Sequence, residues 1–434
     1  MRDQCGTFYY HYCKGKLMPA LRHIDPSKLY TQRGSITLEI AAYILCFATL
    51  ITAPINDNVS MKLFSITAGL GFFSLVLRGK PENYHIKHWA LPLSLLFIGI
   101  INLIWYSLFK ESHSPFRSTY HNYLNTAKIM ILGAPLVLLA LNSKLKPKSE
   151  ILLYILYSLS FIIAAYAHYI KATMGLTRID FGIGTATGAA YSIMLVGIVS
   201  AVSILYSKKN HPILFIFNVI AVFYALALTQ TRSSMLIFPV ICILTLVTCY
   251  LKSPKKLFYS VIGFLTLLIT LLVVFSKPVY ERYHESISDL NQYSNNNSVN
   301  SVGARLAMFE IGFDIFSQAP FKLRSADERA YMMNDIVKQK NYLSGSLEFT
   351  NVHLHNEIIE SASLKGIAGI LSTLLFYSAL VYTIKHHRSL GLFALTLAII
   401  GTGLSDVLIW SRSIPIIIVT TITLLLFIKK HKAT

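Results

Sequence analysis

An all-α polytopic membrane protein is the fold class this sequence predicts, on three observations. Of the 434 residues 54% are apolar and only 14% are charged, against about 25% charged in soluble domains. Mean hydropathy is +0.54. The apolar residues fall in uninterrupted blocks of about 17–22, the length that crosses a bilayer core as a helix.

Twelve blocks can be placed: residues 36–53, 61–77, 89–108, 125–141, 151–170, 185–206, 212–228, 235–251, 257–275, 366–384, 390–409 and 414–428. They leave an N-terminal tail (1–35), a connection of about 90 residues (276–365) and a short C-terminal tail (429–434). The formal charge of +19 then needs a reason. Arg2, Lys14, Lys16, Arg22, Lys28 and Arg33 precede the first block. The even-numbered connections carry Arg78, Lys80, Lys87, Lys144, Lys146, Lys148, Lys208, Lys209, Lys252, Lys255, Lys256, Lys385 and Arg388, and the tail adds Lys429, Lys430 and Lys432. These twenty-two cations share one side. Lys and Arg accumulate on cytoplasmic loops, so both termini are expected in the cytoplasm. The surplus is thus explained by topology, and no nucleic acid is expected as a partner. The polar tail before the first block does not read as a cleaved signal peptide.

The long connection lies on the outer side by the same alternation. It carries nine basic and eleven acidic residues, so the positive excess lies elsewhere. Val279, Tyr283, Ile287 and Leu290 recur at helical spacing, as do Val302, Leu306, Phe309, Phe313 and Phe316, and then Met332, Met333, Ile336 and Val337. Three or four amphipathic helices resting on the outer membrane interface are expected. The run from Asn291 to Asn300 reads as a flexible linker between the first two. Cysteine is absent from this connection, so no disulfide holds it. No internal repeat of the transporter kind is visible.

Metal-site, phosphate-loop and Asp–Xaa–Asp motifs are missing. Gly182-Ile183-Gly184 has no strand before it and does not make a dinucleotide site; with Ala186 and Gly188 it suits close helix approach. At an outer helix start it would also suit an anion. Two other places offer chemistry. The segment Asn351–Glu360 holds His353 and His355, which two residues apart cannot share a helix face and, if helical, do not chelate. One neutral imidazole there either takes a proton from a hydroxyl near pH 7 or simply caps the following helix. Arg232 sits in a very short outer turn against the charge bias, and Arg305 opens an amphipathic outer helix. Guanidinium forks match phosphate oxygens, so the two arginines either clamp a diphosphate or bind headgroups and acids such as Asp406. Asp406 and Arg412 flank the outer end of the eleventh block and are expected to pair with each other. Arg117, Lys128 and Arg178 would add positive field to the same outer cavity.

His355-Asn356, nine residues, then Gly366-Xaa-Xaa-Gly369 resembles the signature of the O-antigen ligases, which join surface polysaccharide to the lipid A–core of lipopolysaccharide. The resemblance extends over nearly the whole chain. It is close to the ligases of enteric bacteria, notably over 181–191 and 351–360, although the basic N-terminal extension is longer than the family implies. Related polysaccharide polymerases share much of this pattern; Arg232 and Arg305 together with it make it specific. The resemblance implies a GT-C-like glycosyltransferase architecture in the bacterial inner membrane, with its site on the periplasmic side. It also implies no metal and no cofactor, a glycan on undecaprenyl diphosphate as donor, and an outer-core sugar hydroxyl of lipid A–core as acceptor. By position His355 matches the family's essential histidine, and Arg232 and Arg305 its diphosphate-binding arginines. Asn356, His353 and Arg412 are supporting candidates. The rival readings are an O-antigen polymerase and, from another class, a lipid-linked oligosaccharide flippase or other transporter. A transporter would place ionisable groups near the midplane, whereas these lie at the outer edge.

Overall fold

In the computed structural model the chain is an all-α polytopic membrane protein, and residues 26–79, 86–143, 145, 149–176, 178–206, 212–274 and 276–429 are described. The basic N-terminal tail up to residue 25, the end of the C-terminal tail and most of the lysine-bearing loops lie outside the described residues. The helices are α1 (Pro26–Thr52), α2 (Asp57–Arg78), α3 (Ala90–Phe109), α4 (Arg117–Asn142), α5 (Ser149–Met174), α6 (Ala186–Tyr206), α7 (Pro212–Thr229), α8 (Arg232–Tyr250) and α9 (Pro254–Val274). Then come α10 (Ser276–Ser294), α11 (Ser301–Gln318), α12 (Ala326–Gln339), a 3₁₀ segment (Asn341–Phe349), α13 (Glu357–His387), α14 (Leu390–Gly403) and α15 (Ser413–Lys429). Among the described residues, nine helices are long and apolar enough to cross a membrane; α7, α14 and α15 supply shorter apolar helices.

Lipid is as apolar as leucine, so these helices are held by close packing rather than by hydrophobic burial. The hydrophobic stretch of α6 is wholly buried, and α15 beside it is buried from Ser413 to Ile428. Small residues let α15 sit this deep: side chains of Val419 and Leu425 occupy the space a Cβ would need at Gly133 and Gly391. Ile44, Phe72, Phe73, Ile100 and Leu371 face outward, as lipid contacts would.

The long connection differs from the expectation in two ways. Helices α11 and α12 and the 3₁₀ segment turn their apolar faces toward one another, forming a second core of Ala307, Met308, Ile311, Ile315, Met333, Ile336, Val337, Leu343 and Leu354. It is a packed unit, with α10 alone showing a long apolar stripe outward: Tyr280, Tyr283, Ile287 and Leu290 are exposed. The Asn-rich run is not a flexible linker either. Ser298 is buried and its hydroxyl accepts from the Gly345 N–H at 2.9 Å, while Asn300 caps α11 by accepting from the Gly303 N–H at 2.7 Å. Short polar side chains satisfy turn backbone here rather than leave it to solvent.

Among the block boundaries that move, two bear on the site. The helix of the tenth block, α13, begins at Glu357 rather than at Gly366, where it breaks instead (φ 56°, ψ −146°). A side chain at Gly366 would strike the Pro320 carbonyl, which accepts from the Ile367 N–H at 2.8 Å. The break therefore docks the turn after α11 onto α13. The helix of the eleventh block, α14, ends at Gly403, not 409, and residues 404–412 form an irregular loop. Val407, Leu408 and Ile409 are buried, so their apolarity imitates a continuing span. Gly182 and Gly184 lie in a turn with positive φ just before α6 rather than within it.

Candidate active site

His355 stands in the short non-helical segment between the 3₁₀ turn and α13, so the helix-face argument against its pairing with His353 does not apply. Its φ of 48° is left-handed, a conformation that costs a non-glycine residue about 1–3 kcal/mol and persists only where the surroundings impose it. Behind the segment, Glu360 accepts from the Leu354 N–H at 2.9 Å, from the Tyr123 hydroxyl at 2.8 Å and from Arg329 at 2.6 Å. Arg329 and Glu360 are both fully buried. Removing one partner of such a pair strands the other charge, at about 3–5 kcal/mol.

Asp406, in the 404–412 loop, turns to meet His355. The His355 Nδ1 lies 3.0 Å from Asp406 Oδ1, and Asp406 Oδ2 accepts from the Tyr191 hydroxyl at 2.7 Å. Burial opposes a charge on Asp406. The neighbouring His353 and His355 and the Tyr191 hydroxyl outweigh it and hold this carboxyl well below the usual range. An ionised carboxylate can only accept, so Nδ1 carries the proton, and in the neutral imidazole the lone pair then falls on Nε2. The expected pairing of Asp406 with Arg412 is not made. Arg412 donates instead to Asn58 Oδ1 at 2.8 Å, and it is not brought to His355.

His353 plays a different part. Burial pushes its imidazole down to about 4, so it is neutral at pH 7. Its Nδ1, 3.5 Å from Asp406 Oδ1, accepts from the His355 N–H at 3.4 Å. That contact with Asp406 is therefore a close approach and not an ion pair. The ring packs edge-on against His355 and Trp410, with centroids 4.6 and 4.9 Å away. Phe349 closes on His355 at 5.3 Å. Asn356 caps α13 through the Ile358 and Ile359 N–H groups and donates to the Leu404 carbonyl at 3.0 Å.

The two arginines approach from α8 and α11. Arg232 is the first residue of α8. It donates to Glu285 at 2.7 Å and to Ser286 at 2.8 Å, both on α10. Its neighbour Ser233 shares a hydrogen bond of 3.3 Å with the Tyr191 hydroxyl. Arg305, in the first turn of α11, is near enough to Tyr191 to act on it electrostatically. Among the described residues Arg305 makes no hydrogen bond or ion pair. The Tyr191 hydroxyl thus joins Asp406, the partner of His355, to Ser233, the neighbour of Arg232. Arg178 is engaged elsewhere, donating to the Thr229 carbonyl at 3.1 Å, and Arg117 and Lys128 are exposed on α4.

Comparison with known proteins decides the family. The O-antigen ligase family model matches residues 216–374. The chain is 56% identical over 407 residues to an O-antigen ligase of Escherichia coli (strain K12), covering 94% of this chain and 97% of that protein. The chain belongs to the O-antigen ligase family. Membership makes it a glycosyl-transferring membrane enzyme in general terms.

For an O-antigen ligase family member, the arrangement separates two chemical tasks. His355, with Asp406 hydrogen-bonded to its Nδ1, has a ring nitrogen that can take a proton, and Arg232 and Arg305 carry permanent positive charge that can meet an anion. His353, His355 and Asp406 also offer three ligand atoms within 4.8 Å of one another, a set that could hold a metal ion. Their present geometry satisfies them as hydrogen-bond partners. Sequence reasoning missed Asp406 as the partner of His355, although a signal existed: no other acid follows Glu360. Tyr191 and Ser233 carried no signal of their own, since a Tyr and a Ser at helix starts are ordinary.

Proposed function

We propose that this chain is an inverting, metal-independent ligase that moves a glycan from undecaprenyl diphosphate onto an outer-core sugar hydroxyl of lipid A–core. The work would be done at the periplasmic face of the bacterial inner membrane, with both termini in the cytoplasm. Family membership supports the class of reaction, and the charge bias of the connecting loops supports the orientation. The observation that carries the mechanism is the 3.0 Å contact of His355 Nδ1 with Asp406, which leaves Nε2 as a base.

The step balances as a single displacement. The acceptor hydroxyl gives its proton to His355 Nε2 while its oxygen bonds to the anomeric carbon. The bond from that carbon to the diphosphate oxygen breaks, and the undecaprenyl diphosphate leaves with the electron pair. Arg232 and Arg305 take up the charge that develops, the part a divalent ion plays in many sugar-nucleotide enzymes. Attack opposite the leaving group inverts the anomeric configuration. Asp406 stabilises the imidazolium formed and fixes its tautomer, as the buried acid of a Ser-His-Asp triad does.

The test is transfer in detergent with purified protein, undecaprenyl-diphosphate-linked glycan and lipid A–core. The expected product is glycan-capped lipopolysaccharide, formed with or without a chelator. His355→Ala should slow it by roughly 10²–10⁴-fold. A His355→Ala protein working at the parental rate contradicts the base assignment, activity abolished by chelator contradicts the metal-free step, and lengthened lipid-linked chains without capping would mark a polymerase.

A further inference from the structure

Three consecutive residues at the start of α13 hold the loop that carries Asp406. The His355 ring meets the Asp406 carboxylate. Asn356 donates to the Leu404 carbonyl, two residues before Asp406. Glu357 Oε2 accepts from the N–H groups of Leu408 at 2.7 Å and Ile409 at 3.0 Å, two and three residues after it. The loop has left helical geometry there, so those N–H groups have no ladder partner. Leu408 and Ile409 are buried, and a buried N–H without an acceptor is costly. Glu357 is buried too. The chain also passes close by it at Gly403, where a Cβ would lie 3.5 Å from the Glu357 Cβ. Burying a carboxylate is unfavourable unless its oxygens are used. Here one oxygen is used twice, and both bonds fall on the short loop that aims Asp406.

We propose that Glu357 is a positioning residue for the transfer: it fixes the Asp406 loop against α13 and so holds Asp406 in line with His355. The proposal rests on the reading of His355 as the base. Among the described residues the Glu357 side chain makes no hydrogen bond to His355. It acts through the 404–409 backbone, and the property it needs is an acceptor oxygen at that position rather than a negative charge.

The transfer assay described above tests this with full-length variants, their folding checked by melting and size in detergent. Misplacement of a catalytic group by about 1 Å can cost 10²-fold, so Glu357→Ala is expected to lose about that in kcat, with KM for the lipid-linked donor nearly unchanged. Glu357→Gln, whose amide oxygen can accept both N–H groups, is expected to recover most of the rate. Glu357→Ala combined with Asp406→Ala should be no slower than Asp406→Ala alone, because the two act through one element. Parental kcat in a folded Glu357→Ala protein overturns the proposal. So does a glutamine variant as slow as the alanine one, or a fully additive loss in the double variant. If Glu357→Ala does not fold, Glu357→Asp decides. It keeps the charge but withdraws the oxygen by one methylene, and parental kcat there also overturns the proposal. His355→Ala run in parallel separates the two readings: if it is inactive and Glu357→Ala is not, only the positioning role fails.

Discussion

The His355 side and the Arg232 side of the candidate site, joined where the Tyr191 hydroxyl meets Asp406 and Ser233, are held in different ways. The histidine side is assembled: the ring is bonded to a buried carboxylate, its backbone is pinned in a left-handed conformation, and Arg329 and Glu360 brace the segment from behind. The arginine side is not. Arg232 is engaged by Glu285, a half-exposed acid on α10, and Arg305 has no hydrogen-bonding partner among the described residues. A base must have its proton-accepting lone pair aimed before substrate arrives, whereas a grip on a diphosphate can close as the anion enters. The contrast predicts that damage to the histidine side appears in kcat, and damage to the arginine side largely in donor KM.

The largest effect in this comparison is expected for Asp406→Asn. The amide keeps the size of the carboxylate and removes its charge, so neither the tautomer nor the imidazolium of His355 is secured. Loss in kcat should be roughly 10²–10⁴-fold, the range for general-base catalysis, with donor KM little altered. Steady-state kinetics at saturating acceptor measure it. A large rise in donor KM with unchanged kcat would show that Asp406 serves binding, and the contrast between the two sides would collapse.

Next comes Arg305→Ala. One charged donor removed from a site where charge develops costs about 10²–10³-fold, here expected in kcat/KM with a clear KM component. Arg305→Lys should recover only part of it, because an ammonium lacks the planar fork that spans phosphate oxygens. Equal activity of the lysine and alanine variants with the parent would remove Arg305 from the site.

How far this site was legible in sequence follows the same division. The helical blocks could be read because lipid demands long apolar runs. Arg232 stood out because its short turn falls on the outer side by the charge alternation, and Arg305 because it opens an amphipathic stretch. His355 was readable through its spacing to Gly366 and Gly369, and the structure supplies a reason for Gly366: its backbone break seats the Pro320 turn on α13. Asp406 was paired with Arg412 instead of His355 because Val407, Leu408 and Ile409 have the composition of a span and hide the loop that turns the acid inward. The second core was equally hidden. Its residues lie on α11, α12, the 3₁₀ segment and the stretch before α13, and helical spacing says that a face is apolar without saying what covers it.

The smallest effect concerns the contact that distinguishes the arginine side. The Arg232–Glu285 pair is part exposed, with side-chain accessibilities of 26% and 49%, and such pairs contribute about 0.2–1 kcal/mol after screening. Glu285 therefore competes with an incoming diphosphate only weakly. Glu285→Gln should lower donor KM by at most about fivefold, the equivalent of 1 kcal/mol, and leave kcat unchanged, while Arg232→Ala raises donor KM. The gain should fade as salt is raised, because salt screens the same pair in the parent. A raised KM in Glu285→Gln would mean that Glu285 aims Arg232 for the substrate. The arginine side would then be preassembled as well, and the contrast with His355 would be one of exposure only.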